Sequence, residues 1–107
     1  MKIKRQGDLL FVTGVELPTS EFREEAPING AYILAYGEVT GHSHRLVAVQ
    51  DAPLPKLKWF GDMRYLEAEA PSRVIHQEHG AIDLPAGVTL VLRQYESHAK
   101  IVHMVAD

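Results

Sequence analysis

Four of the six histidines in this chain fall into two short clusters, His42 and His44 in GHSHR and His76 and His79 in HQEHG. Imidazole is the side chain most often used to hold a divalent metal, and it also carries protons near neutral pH. The chain has no cysteine, so thiolate sites and disulfides are unavailable, and any zinc or iron would be held by nitrogen and oxygen. On an extended strand, residues i and i+2 point to one face about 7 Å apart, so His42 and His44 can aim both rings at one ion. His76 and His79 are i and i+3, a spacing that shares a face on a helix but not on a flat strand. A bend at Glu78-His79-Gly80 is therefore needed to turn both rings inward, whereas His76 and Glu78 face the same way without distortion.

A nitrogen-ligated metal usually takes three or four protein donors, so two pairs together carry more weight than either alone. Three ligand sets follow: all of His42, His44, His76 and His79; three of these histidines with water; or two or three of them with Glu78 as a carboxylate ligand. The preferred set is three or four histidines, with Glu78 behind them or acting as the catalytic base. Zinc is the first candidate for the single divalent ion, and iron, manganese and nickel stay open.

Other residues offer weaker chemistry. Glu38 lies just before the first pair and Gln94 continues one face of a late strand, so either could orient a ligand. Arg45 and Arg93 carry guanidinium forks suited to carboxylates or phosphates. The adjacent rings of Trp59 and Phe60 suggest a lid, an oligomer contact or a fold back onto the core, and a homodimer is expected from this pair and the small size of the chain. His98 and His103 suit neither strand nor helix pairing for one ion. No GxSxG elbow or phosphate-cradling loop is present.

The elements that must position these groups read as strands. Short runs of β-branched and aromatic residues are separated by Gly, Pro, Asn and Asp. Candidate strands cover Ile3 to Arg5, Leu9 to Val12 after a Gly7-Asp8 turn, Ala31 to Tyr36, Ser43 to Val49, Met63 to Ala68, Arg73 to His76, Ala81 to Leu84 and Val88 to Tyr95. Residues 18–30 read as a surface loop with one turn of helix begun by Ser20. Residues 50–62, interrupted by Pro53, Pro55 and Gly61, read as a long exposed connection. Lys100 to Val105 has the composition of a closing strand. About eight short strands predict an all-β fold, a small single-domain β-barrel or sandwich spanning residues 1–107.

At 107 residues, 46% apolar and 23% charged, the chain matches one globular domain. A formal charge of −3 with scattered Lys and Arg argues against nucleic acid as a partner. No apolar run approaches the roughly 18 residues that span a bilayer, which argues against a membrane partner, and the early run LLFVTGV lacks the flanks of a signal peptide. A cysteine-free chain suits a cytoplasmic location.

Two stretches resemble a known family. GEVTGHSH is similar to the first motif of the cupins, in which a glycine-led strand presents an HxH pair, and HGAIDLPAGV resembles the second, in which a glycine precedes a PxG turn. The resemblance spans residues 37–90. It implies a cupin-like barrel that holds a metal between the two motifs, with His42 and His44 as ligands and Gly80, Pro85 and Gly87 as turn formers. The chain departs from the pattern where Ala48 and Val49 replace the expected glutamate, and where Val88, Thr89 and Leu90 replace a histidine after the turn. The expected function is a metal-dependent lyase or hydrolase whose metal-bound water hydrates or hydrolyses a small molecule, carbon dioxide being one candidate. The alternative is a non-catalytic accessory or sensor module whose metal site is closed and structural.

Overall fold

In the computed structural model, residues 1–36 and 41–93 are described, and among them ten strands and no helix occur. They are β1 (Lys2–Gln6), β2 (Leu9–Thr13), β3 (Arg23–Glu25), β4 (Ala31–Tyr36), β5 (Ser43–Ala48), β6 (Lys56–Phe60), β7 (Met63–Ala68), β8 (Ser72–Ile75), β9 (Ile82–Leu84) and β10 (Gly87–Arg93). All pairings are antiparallel. One sheet has six strands in the order β1-β2-β10-β7-β6-β3, and the other has four in the order β4-β5-β8-β9. The fold is an all-β sandwich of two open sheets, as the strand-rich sequence predicts.

The sheets are joined by a shared core. Leu9, Phe11, Leu57, Leu66 and Val91 from the larger sheet meet Tyr32, Leu34, Leu46, Val74 and Leu84 from the smaller one. Burying side chains of this size stabilises by about 1.5–3 kcal/mol each before chain entropy is subtracted. The larger sheet is buried on its other face too, where Leu10, Val12, Phe60, Tyr65, Leu90 and Leu92 form a second cluster flanked by Val15, Leu17, Met63 and Val88. The alternation expected along β10 therefore divides its residues between two cores: Leu90 and Leu92 belong to one, and Val91 to the other. In β4 the register slips between Ile33 and Ala35, and Arg64 Nη1 donates to the carbonyl of Leu34 at 2.6 Å.

Two segments differ from expectation. No helical turn follows Ser20; Arg23–Glu25 instead forms an edge strand, paired so that Arg23 stands opposite Trp59 and Glu25 opposite Leu57. The connection after residue 50 is extended only as far as Pro55, because Lys56–Phe60 is a full strand between β3 and β7. Trp59 and Phe60 are thus sheet residues. Phe60 is buried, and Trp59 lies between the guanidiniums of Arg23 and Arg64 at 5.0 and 5.2 Å, with its Nε1–H donated to Glu25. The expected closing strand from Lys100 lies outside the described residues.

Candidate functional site

The two histidine pairs meet at one end of the sandwich. Strand β5 pairs with β8 so that Arg45 faces Ile75, and one residue beyond this pair stand His44 and His76, with ring centres 4.4 Å apart. His76 also neighbours His79 at 4.7 Å and His42 at 5.7 Å, and His44 lies 6.2 Å from His79. Imidazoles sharing one tetrahedral ion through bonds of about 2.0–2.1 Å hold their ring centres about 5 Å apart, so these spacings bracket that value. Among the described residues, no group of three or more His, Cys, Asp or Glu side chains is already arranged to hold a metal ion. The rings are gathered as neighbours, and side-chain rotations would have to bring their nitrogens to one point.

The bend at residues 77–79 has an identifiable cause. His76 Nδ1 accepts the backbone N–H of Glu78 at 3.0 Å and that of His79 at 3.3 Å, so the first histidine of the pair pins the turn that returns the second. Gln77, between them, acts as a strand partner for the other pair. Its Oε1 accepts the Ser43 N–H at 2.9 Å and its Nε2 donates to the Gly41 carbonyl at 3.2 Å, clamping the backbone on either side of His42. Glu78 Oε1 lies 3.5 Å from His42 Nδ1 with its carboxylate largely in water. This is the position of a group that can exchange protons with solvent.

Two residues of the site carry no sequence signal of their own. Gln6 is buried, and its Nε2 donates to the carbonyls of Val74 and Gly80, each at 3.0 Å. Those two bonds fix which way its amide points, so its Oε1 must accept from His44 Nδ1, 2.8 Å away. The tautomer of His44 follows: Nδ1 carries hydrogen and the Nε2 lone pair is left for another partner. Beside that lone pair stands a second acceptor, Asp8, with Oδ1 at 3.5 Å from Nε2, while its Oδ2 lies 3.7 Å from Arg93 Nη1.

Both come from the tight turn between β1 and β2, where Gln6 pairs with Leu9 around Gly7 and Asp8. Gly7 has φ +59°, as the first central residue of a II′ hairpin turn requires. A Cβ there would stand 2.9 Å from His79 Nε2 and 3.1 Å from His44 Cε1, so the rings occupy the space that glycine leaves.

Burial is the main cause holding the pKa of His44 below the usual histidine value, followed by the nearby His76; Asp8 opposes them. The pKa of His76 is also lowered, by desolvation first and then by His79 and His42. Both rings therefore favour the neutral form, the form that ligates metal. Of the two candidate arginines, Arg93 reaches the site through Asp8. Arg45 alternates to the outer face of β5, donates its Nε–H to Ser43 Oγ, and lines a shallow groove of about 210 Å³ with Ile75 and Gln77. The Pro85-Ala86-Gly87 turn starts β10, and six residues at about 3.3 Å each separate it from Arg93 at the site end. Glu38, Gln94, His98 and His103 lie outside the described residues.

Comparison with known proteins adds one relationship. Residues 5–94 match a family model described as a domain of unknown function (DUF8820). The chain belongs to this family. No curated protein and no solved structure matches it. The family match takes in the whole site, from the turn at Gln6 and Asp8 through both histidine pairs to Arg93.

Proposed function

We propose that this family member is a small metalloprotein in which the cluster of His42, His44, His76 and His79 holds one divalent ion, through three rings while His76 Nδ1 pins its turn and through all four once that turn opens, with zinc the first candidate and iron, manganese or nickel as alternatives. The observation that carries the reading is His44. It is 2% exposed, its Nδ1–H is committed to Gln6, which leaves Nε2 as its free nitrogen, and its ring centre lies 4.4 Å from that of His76 and 6.2 Å from that of His79. A buried ring held in this way by an outer hydrogen bond is the usual arrangement of a metal-ligating histidine.

Such an ion would acidify a water molecule for hydration or hydrolysis of a small molecule, carbon dioxide among them. The protein groups have separate duties in this scheme. Gln6 and the turn pinned by His76 position rings, and Glu78, exposed beside His42, passes the proton to solvent. The exposure of His79 and Glu78 favours an enzyme over a sealed structural site, because it leaves one side of the cluster open to a substrate. The cupin resemblance supports the same reading through His42 and His44, and a homodimer and a cytoplasmic location remain proposals beside it. Among the described residues no helix is long and apolar enough to cross a membrane.

Metal analysis of protein purified without added metal, followed by carbon dioxide hydration and ester hydrolysis assays, tests the proposal. One ion per chain, lost in a His42→Ala/His44→Ala double variant, supports the site, and metal-dependent turnover supports the enzyme. Metal content unchanged in the double variant refutes the site. Tight metal binding with no exchangeable water and no turnover supports instead the accessory or sensor module.

A further inference from the structure

We infer that Asp8, in the β1–β2 turn, is a direct ligand of the ion held by the histidine cluster, an inference that rests on the metal reading above. The Asp8 Oδ1 to His44 Nε2 distance of 3.5 Å is too long for a charge-assisted N–H···O hydrogen bond, which closes to about 2.7–2.9 Å. It matches a different relationship. Two donors bound to one tetrahedral ion at about 2.0–2.2 Å stand about 3.4 Å from each other. The Gln6 amide, locked by Val74 and Gly80, leaves His44 only Nε2 for ligation, and that atom is the one facing the carboxylate.

His76 strengthens the case from the other side. Its Nδ1 accepts two backbone N–H groups, which places the ring hydrogen of the neutral form on Nε2 and makes His76 a poor fourth donor while the turn is closed. Asp8 supplies the missing donor from the opposite sheet. Arg93, 3.7 Å from Oδ2, holds the second oxygen away and favours binding through Oδ1 alone. Asp8 also sits in a turn with its side chain about half exposed, so its substitution leaves the core intact.

The test uses the full chain and cobalt(II) as the probe, read by its visible ligand-field spectrum and by competition with a chelator. Asp8→Ala and Asp8→Asn are expected to weaken cobalt binding by about 10- to 100-fold and to change the spectrum, with Asp8→Glu restoring much of both. Glu67→Gln, at a carboxylate of β7 paired with Lys58 and outside the histidine cluster, should leave the spectrum unchanged. If wild-type protein binds cobalt and both Asp8 variants bind it with the same affinity and spectrum, the Asp8 inference is overturned while the histidine site stands. A wild-type chain that binds neither cobalt nor zinc overturns the metal reading itself.

Discussion

The Oε1 of Gln6 lies 2.8 Å from Nδ1 of His44, and this contact between two buried side chains fixes the chemistry of the ring. Replacing Gln6 by Leu leaves the buried His44 Nδ1–H without its partner and removes the side-chain donor to the carbonyls of Val74 and Gly80. A loss of about 3 kcal/mol in unfolding free energy is expected, together with metal binding weakened by about 10-fold or more. Urea unfolding and chelator competition measure the two effects. A Gln6→Leu variant as stable as wild type would show that the amide does not organise this end of the fold.

Gly7→Ala separates a backbone effect from a site effect. Gly7 and Gly61 both have positive φ, +59° and +63°, so alanine at either strains the turn by about 1–2 kcal/mol. Only at Gly7 would the new methyl meet His79 and His44; at Gly61 nothing lies within 4 Å. Gly7→Ala should therefore weaken metal binding and Gly61→Ala should not, while both lower the thermal midpoint, Gly7→Ala by the larger amount.

Acid should loosen the metal-free protein early. The pKa values of His44 and His76 are lower in the folded chain than the ordinary histidine value of 6.5, so between these limits the unfolded chain binds more protons than the native one. Stability from these rings is then complete above about pH 6.5 and falls as the pH drops through their folded values. Denaturant midpoints of chelator-treated protein from pH 8 to pH 5 should show this decline, and a His44→Gln variant should show less of it. A flat profile in wild type would mean that neither ring is desolvated on folding.

Gln77→Ala tests the clamp on the first histidine pair. The change removes the acceptor for Ser43 N–H and the donor to Gly41, so the amide of Ser43 should exchange faster with solvent, by about 5- to 10-fold for a lost bond of about 1 kcal/mol. Hydrogen exchange followed by NMR reads this directly. Protection of Ser43 equal to wild type would show that the start of β5 beside His42 holds without help from Gln77.

Much of the sandwich was legible in the sequence because the core strands alternate or run continuously apolar, as in AYILAY and GVTLVLR. Strand β3 was hidden because its residues are Arg and Glu on a sheet edge, where packing gives no periodic signal. Strand β6 was hidden by Pro53, Pro55 and Gly61, which bound it but do not enter it. The histidine pairs announced themselves by type and spacing, and the bend that unites His76 with His79 was foreseeable. Gln6 and Asp8 were not. Neither residue type is unusual in a hairpin turn, and their meaning comes from partners on the other sheet that are far away in sequence. The fixed direction of a single amide, set by two carbonyls, cannot be read from spacing.

Gln6 and Asp8 reach the cluster from the larger sheet, whereas His42, His44, His76 and His79 reach it from the smaller one. An ion shared between them would work as a clasp, drawing the two sheets together at the end farthest from the Pro85 turn. Free ion at about 100 times its dissociation constant would add about 2.7 kcal/mol to the folded state, so metal supply would set how tightly this sandwich stays shut.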